Sequence, residues 1–271
     1  MGIVPAIERP HMYNVLFDSV QKTFGKAAFP FLRRPAEKHA LRNMSLEVAR
    51  GEVLALLGPN GSGKSTALKL IATILLPDQG TVWVNGLDTR NHEHEVRRQV
   101  GFALASERSF FPRLTIRENL DFFATLEDVP RSERPRRIDQ AIEEVEMEEH
   151  ANKQVMKLSS GMLQRLAIAR ALIKRPRVLL LDEATRSLDP AAAWRFWELI
   201  RTLASAEASA VLATHSFDEA VAAADRVVIL RKGELLGTRR VAGLSAEQLR
   251  DYYCDVTGEK IAPAWAGEVP A

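Results

Sequence analysis

Nine residues, 58–66, carry the residue types best suited to chemistry in this chain of 271 residues. They read Gly-Pro-Asn-Gly-Ser-Gly-Lys-Ser-Thr and match the spacing of a glycine, four residues and then Gly-Lys-Ser/Thr. Glycines let successive backbone N–H groups point at one place, where an anion with several oxygens can bind. The stretch therefore predicts a cradle for nucleotide phosphates, with a glycine-rich surface turn as the alternative. Its predicted nucleotide-binding residues are Gly58, Pro59, Asn60, Gly61, Ser62, Gly63, Lys64, Ser65 and Thr66.

The flanking residues supply the elements that such a cradle needs. Residues 53–57 are an apolar run that predicts a buried parallel strand. After the cradle, apolar residues recur at helical spacing as far as a stop at Pro77. The predicted helix points its positive N-terminus at the phosphates, Lys64 reaches them, and the Ser65 hydroxyl can ligate Mg²⁺.

Two further apolar runs end in residues that can do chemistry. Residues 178–181 are followed by Asp182 and Glu183, and residues 210–214 are followed by His215. Strands that are apolar on both faces place such residues at the carboxyl edge of an α/β sheet, where ligands bind. One acid can hold Mg²⁺ and the other can orient water.

The remaining elements were predicted from local patterns. Residues 15–24 predict an edge strand and residues 26–39 an inserted loop, while alternating residues at 44–48 predict a half-buried strand. Thr81–Val84 predicts a strand closed by an Asn-Gly turn. Thr115 and Glu118 form a capping box that opens a helix. A charged helix with a thin apolar stripe follows, and another helix is predicted over residues 163–173.

Composition limits the possible partners. Lysine plus arginine (37) nearly balance aspartate plus glutamate (35), so the net charge of +2 gives no reason to expect a nucleic acid. The single cysteine, Cys254, excludes an internal disulfide. Because no stretch approaches the roughly 18 apolar residues of a membrane span, we expect a soluble chain, which could serve a membrane process only by docking to another protein.

With these motifs in order, the sequence resembles the nucleotide-binding subunit of an ABC transporter over about residues 15–238. Residues 58–65 are similar to Walker A, 178–182 to Walker B, 158–162 to the ABC signature and 187–189 to the D-loop. The resemblance implies an α/β fold: a P-loop NTPase (RecA-like) core with an antiparallel β subdomain and an inserted α-helical subdomain. It also implies ATP and Mg²⁺, with Lys64, Glu183 and His215 in catalysis, Ser65 and Asp182 on the metal, and Phe24, Ser159 and Gly161 on the nucleotide.

The sequence departs from the family pattern at three places. The usual signature is Leu-Ser-Gly-Gly-Gln, whereas Ser160 and Met162 occupy two of those positions here. Ser106, with Glu107 beside it, stands where the family has its lid glutamine. The 26–39 insertion separates Phe24 from the phosphate loop. The ATPase domain is expected over residues 13–240, with a helical subdomain at about 107–157 and a tail over 241–271.

The resemblance is strongest to ABC-2 exporters, and it implies a subunit that hydrolyses ATP to drive export through a separate transmembrane permease. It also implies a cytoplasmic, peripheral location on the inner face of the cell membrane, through that permease. The signature of one subunit would complete the site of the opposite one, in a homodimer or with a paired nucleotide-binding subunit. One alternative is a cytosolic ABC ATPase acting on nucleic acid or ribosomes; coiled-coil heptads or tandem nucleotide domains would favour it, and neither is present. A P-loop kinase or GTPase is the second alternative, against which the signature and His215 argue.

Overall fold

The computed structural model of the chain describes residues 13–25, 38–103, 110–185, 188–204 and 208–260. Strands and helices alternate through most of that length. The strands are β1 Tyr13–Phe24, β2 Lys38–Ala49, β3 Val53–Leu57, β4 Gln79–Val84, β5 Leu87–Asp88, β6 Val100–Ala103, β7 Val178–Asp182, β8 Ser209–Thr214, β9 Arg226–Arg231 and β10 Glu234–Arg240. The helices are α1 Lys64–Ile71, α2 Glu93–Gln99, α3 Ile116–Leu126, α4 Arg134–Glu144, α5 Ser160–Leu172, α6 Pro190–Leu203, α7 Phe217–Ala223 and α8 Ala246–Thr257, with 3₁₀ turns at Glu148–His150 and Val155–Lys157.

The larger sheet positions the chemistry. Its strand order is β10-β9-β3-β8-β7-β6, and all neighbours except β10 and β9 run parallel. Every residue of β3 and β8 is buried, as expected for strands covered on both faces. The register pairs Leu57 with Thr214 and Asp182 with Ala213, so β3, β8 and β7 end side by side at one edge.

The smaller sheet corrects the prediction for residues 15–24. Its strand order is β2-β1-β4-β5, so β1 pairs antiparallel with a strand on each side and is an interior strand, not an edge strand. Irregular register near Ser19, which has φ of +52°, moves the buried side chains from Val15 and Phe17 to Val20. This bulge interrupts the alternation that would have identified a paired strand in the sequence.

Two predicted boundaries also change. Strand β2 begins at Lys38, so Lys38 and His39 belong to a strand and not to the predicted loop, while residues 26–37 lie outside the described residues. Helix α1 ends at Ile71, well before Pro77. Thr73 takes a φ of +56°, and the Ile74 N–H donates to Lys69 O, which closes the helix with a turn of the kind that usually ends in glycine.

Helices α3, α4 and α5 form the helical part of the molecule. The Thr115–Glu118 capping box predicted from the sequence opens α3. The apolar stripe of α4 is buried, with Ile138 and Ile142 each about 3 % exposed or less. Helix α5 buries residues on all sides, and its Leu166 and Ile168 join the core beneath the larger sheet. Among the described helices, none is long and apolar enough to cross a membrane.

Residues after 240, which the sequence analysis gave only as a tail, include helix α8. Ser245 and Gln248 form a reciprocal capping box at its start. Leu249 and Tyr253 are buried in the same core as α5, and Tyr253 meets Phe217 of α7 edge to face. Helix α8 therefore packs as part of the domain, and residues 261–271 lie outside the described part of the chain.

Candidate functional site

Three loops meet where β3, β8 and β7 end. The Gly58 N–H donates to Thr214 O at 3.4 Å, and the Glu183 N–H donates to Ala213 O at 3.0 Å. The loops after β3 and β7 are therefore each tied to the middle strand, β8, by a backbone hydrogen bond that continues the sheet. This arrangement brings together the phosphate loop, the acidic pair and the histidine that the sequence predicted at one sheet edge.

The phosphate loop is closely packed against its surroundings. A Cβ on Gly58 would lie 2.1 Å from Leu230 O, and one on Gly63, whose φ is +114°, would lie 2.6 Å from Ala40 O. Neither position has room for a side chain. The Ser62 hydroxyl is buried in the loop without a hydrogen-bond partner among the described residues. Glycine is thus required for the shape of the loop and not only for flexibility.

Lys64 is 5 % exposed and lies folded against its own loop. Its Nζ donates to Gly58 O at 2.6 Å and to Pro59 O at 3.2 Å. Burial lowers the pKa of Lys64, and the negative charges of Glu183 and Asp182 oppose that shift. A buried ammonium group held next to two carboxylates is well placed to bind phosphate oxygens.

A cavity of about 180 Å³ lies over the loop and gathers most of the predicted nucleotide-binding residues. Phe24 is 43 % exposed on one side of it, with the Lys22 ammonium 5.7 Å from its ring centre. The sequence analysis did not include the first residues of β2, which also contribute. The lining comprises Phe24, Lys38, Ala40, Asn60, Gly61, Ser62, Gly63, Lys64, Ser65, Thr66 and Glu183.

Glu183 and His215 face one another across the edge of the sheet. His215 Nδ1 lies 3.3 Å from Glu183 Oε1, and the histidine side chain is 57 % exposed. Glu183 takes a φ of +46°, a left-handed conformation that is uncommon for a residue with a side chain. The strand ends at Asp182, so this turn directs Glu183 towards the pocket.

Two residues near His215 were missed in the sequence analysis. The Thr214 hydroxyl donates to Glu219 Oε2 at 2.5 Å and accepts from the Ser216 N–H at 3.0 Å. Burial raises the pKa of Glu219, while the Thr214 hydrogen bond and the charge of His215 act in the opposite direction. The pattern Ser216-x-x-Glu219 is a sequence signal for a helix cap at Ser216, but it does not indicate the contact with Thr214.

A family model described as "ABC transporter" matches residues 41–186, just over half of the chain. The chain belongs to the ABC transporter family. The ABC transporter ATP-binding protein NatA of Bacillus subtilis (strain 168) is 36 % identical over 197 residues, which cover 73 % of this chain and 80 % of NatA. The daunorubicin resistance ATP-binding protein DrrA3 of Streptomyces coeruleorubidus is 34 % identical over 79 % of this chain and 68 % of its own length.

A solved ABC cassette has the same fold. The dimeric post-hydrolysis structure of the cassette MJ0796 bound to ADP and Pi matches with a TM-score of 0.72 and 29 % identity, over 85 % of this chain and all of that one. The likeness confirms the predicted P-loop NTPase fold. Within the family the chain is an ATP-binding subunit with ATPase chemistry.

The signature segment of this ABC subunit lies outside the pocket. Ser159 is exposed and is the N-cap of α5, accepting from the Met162 N–H at 3.3 Å. Because of this cap, α5 begins at Ser160, three residues before the predicted start. Neither Ser159 nor Gly161 is among the described residues that line the cavity over the phosphate loop. In this single chain, the two segments that resemble phosphate-binding elements are therefore apart.

The other family segments are only partly described. Asp189 of the D-loop caps α6 by accepting from the Ala192 N–H at 2.9 Å. A Cβ on Gly161 would lie 3.5 Å from the Leu188 side chain. Ser187 lies outside the described residues. Ser106 and Glu107 of the lid segment also lie outside them.

The donor set fits ATP with Mg²⁺. The phosphate loop offers a buried cationic group, an unpartnered buried hydroxyl at Ser62 and a shape that a Cβ would fill. Ser65 lines the cavity, and Asp182 is close enough to Lys64 for its charge to act there. A hydroxyl and a carboxylate are oxygen ligands of the kind that Mg²⁺ prefers.

Proposed function

We propose that this subunit hydrolyses ATP in order to drive export of a substrate through a separate membrane-spanning partner. The observation that carries the proposal is the convergence of Lys64, Glu183 and His215 at the ends of three adjacent parallel strands. Phosphoryl transfer to water needs groups that position reactants and stabilise charge, and this edge supplies both.

Each residue has a separate task in the proposed reaction. The loop amides and Lys64 bind the β- and γ-phosphates, and Phe24 stacks against the base. Ser65 and Asp182 hold Mg²⁺, which supplies charge neutralisation on the phosphate oxygens when it is bound. Glu183 accepts a proton from the attacking water, and His215 contacts the γ-phosphate from its place beside Glu183.

A second copy, or a related subunit, supplies the signature. Ser159 and Ser160, at the start of α5, are exposed and do not line the cavity over the phosphate loop of their own chain. The N-terminus of a helix favours a phosphate, so an ATP molecule held by the loop of one subunit can contact α5 of another. The dimeric MJ0796 cassette supports this arrangement.

The contact with the membrane partner is assigned to an exposed apolar patch on the helical part of this chain. Phe111, Phe122, Leu126 and Met156 are all more than 40 % exposed there. Next to them, a groove of about 310 Å³ is lined by apolar side chains together with Arg97, Glu127, Arg170 and Lys174, and Lys174 Nζ lies 2.8 Å from Glu127 Oε2. Exposed apolar patches with a charged rim are typical of protein interaction sites, so this patch is the proposed contact for the partner.

Glu183→Gln tests the catalytic part of the proposal. The amide cannot accept the water proton, so turnover should fall by roughly 10²- to 10⁴-fold while ATP affinity stays near that of the parent chain. ATP with Mg²⁺, but not ADP, should then convert monomer to dimer in sedimentation. Parental turnover would exclude Glu183 as the base, and an unchanged mass would leave a paired, unlike subunit as the dimer partner.

The direction of transport needs the intact pair. Relatives named for export and for import match this chain at similar identity, 33 % for a Nod factor export protein and 35 % for a sulfate/thiosulfate import protein. The chain is first co-purified from native membranes to identify the spanning subunit. Everted vesicles that contain both subunits should then take up the probe daunorubicin with ATP, and vesicles with Glu183→Gln should not. ATP-dependent release from the vesicles would indicate import.

A further inference from the structure

The start of α7 departs from an ordinary capping box. In a capping box the serine hydroxyl accepts from the N–H three residues later, and the glutamate carboxylate accepts from the serine N–H. The first half is present, since Ser216 Oγ accepts from the Glu219 N–H at 3.3 Å. In the second half, the Thr214 hydroxyl stands between the two groups: it accepts from the Ser216 N–H and donates to Glu219.

We call the chain of hydrogen bonds from the Ser216 N–H through the Thr214 hydroxyl to the Glu219 carboxylate the relay. Two other helices show that a helix cap does not need such a relay. Thr115 with Glu118 opens α3, and Ser245 with Gln248 opens α8, both as direct reciprocal boxes. Those boxes are confined to residues at the start of their own helices. At α7 the hydrogen bonds reach back to Thr214, the last residue of strand β8. The relay therefore connects the strand to the helix across the one residue between Thr214 and Ser216, which is His215.

The relay holds the backbone on both sides of His215. Thr214 is 1 % exposed, and Glu219 lies partly buried behind it. The His215 side chain, in contrast, is largely exposed and points to Glu183 at the pocket. The Glu219 carboxylate accepts from the buried Thr214 hydroxyl, and Glu219 is not among the described residues that line the cavity over the phosphate loop. Glu219 is therefore better placed to support His215 than to contact the nucleotide.

We infer that Glu219, acting through the Thr214 hydroxyl, is a positioning residue that fixes His215 relative to Glu183. The inference rests on the proposed function, because it takes His215 as part of the ATPase site. A misplacement of about 1 Å at a reacting group can cost about 10²-fold in rate, so removing the relay should be visible in turnover.

The test compares variants that break the relay with variants that preserve it, in the full chain. Thr214→Val and Glu219→Ala remove a member of the relay, and each should lower kcat about tenfold with KM for ATP changed less than threefold. Thr214→Ser and Glu219→Gln keep a hydroxyl donor and a carbonyl acceptor, and each should retain at least half of the parental kcat. Turnover is measured at a temperature at which circular dichroism shows every variant to be folded.

His215→Ala separates positioning from a general loss of structure. If the relay acts through His215, Thr214→Val should lower kcat less than twofold further in the His215→Ala background. A further tenfold loss there, or parental kcat for Thr214→Val alone, would overturn the inference. If His215→Ala itself turns over like the parent, the catalytic role of His215 in the proposed function fails and the inference fails with it. A slow His215→Ala with parental Thr214→Val and Glu219→Ala would overturn the inference alone.

Discussion

Two helices of this chain begin at segments that resemble phosphate-binding elements, and their N-termini are capped differently. Helix α1 starts after Gly63, which has no side chain to cap the first amides. Helix α5 starts after Ser159, whose hydroxyl accepts from one of those amides. Uncapped amides must find another partner. The comparison indicates that the first amides of α1 are open to water or to a ligand, whereas α5 satisfies one of its first amides within its own chain.

The residues around the starts of α1 and α5 also differ in burial. Ser62 and Lys64, on either side of Gly63, are buried, and the adjoining strand β3 is buried at every residue. Ser159 is exposed, and the 3₁₀ turn before it is short. The α1 segment is thus a rigid cradle with a cavity over it, whereas the α5 segment is a surface. A surface of this kind can contact an anion only when another molecule brings the anion to it.

The largest effect in this comparison is expected at the cradle. Lys64→Ala removes a charged donor to phosphate that is worth about 1.5–3 kcal/mol, so the Kd of monomeric chain for ATP should rise about 10- to 150-fold. Equilibrium binding of a fluorescent ATP analogue measures this change. An unchanged Kd would show that Lys64 stays on the Gly58 and Pro59 carbonyls and contributes no binding.

The strand and the helix on either side of the phosphate loop could be predicted because they follow one another directly in the sequence. Residues 58–66 and the runs before and after them contain the strand, loop and helix that shape the site. Strands β7 and β8 have apolar interiors, so their ends could be placed at one edge. The left-handed turn at Glu183 and the Thr214–Glu219 contact could not be predicted. Both depend on how the loops are tied to β8 after the sheet has formed.

Long-range contacts explain why the interior position of β1 and the packing of α8 were not predicted. Strand β1 is interior because β2 and β4 both pair with it, and its bulge near Ser19 hides the period of two. Helix α8 packs by Leu249 and Tyr253 against a core made by residues far away in the sequence. Local patterns predict an element's type but not its neighbours, which are set by contacts across the whole domain.

Ser159→Ala is the matching change at the exposed helix start. The monomer should bind ATP within twofold of the parent, because Ser159 does not line the cavity. Turnover at protein concentrations that support dimers should fall about tenfold, since a hydroxyl donor to the phosphate of the other subunit is lost. A monomer Kd that rises as much as in Lys64→Ala would contradict the separation of the two elements.

The control for Ser159→Ala is Ser245→Ala at the start of α8. Both serines are N-caps that accept from the N–H three residues later, so each change should lower the free energy of unfolding by about 1 kcal/mol. Ser245→Ala should leave turnover near the parental value. Equal losses of turnover in the two variants would mean that helix stability, and not contact with the other subunit, explains the result.

The smallest effect is expected for Met162→Gln, which restores the residue that the family usually has at this position. The Ser159 cap uses the backbone N–H of residue 162, so it survives the change of side chain. The Met162 side chain is partly buried against the main core, and replacing it with an amide should lower the free energy of unfolding, by no more than about 3 kcal/mol. Turnover should change less than threefold. A rise in turnover of tenfold or more would show that the side chain of residue 162, and not only Ser159 and the α5 amides, determines how the start of α5 contributes to turnover.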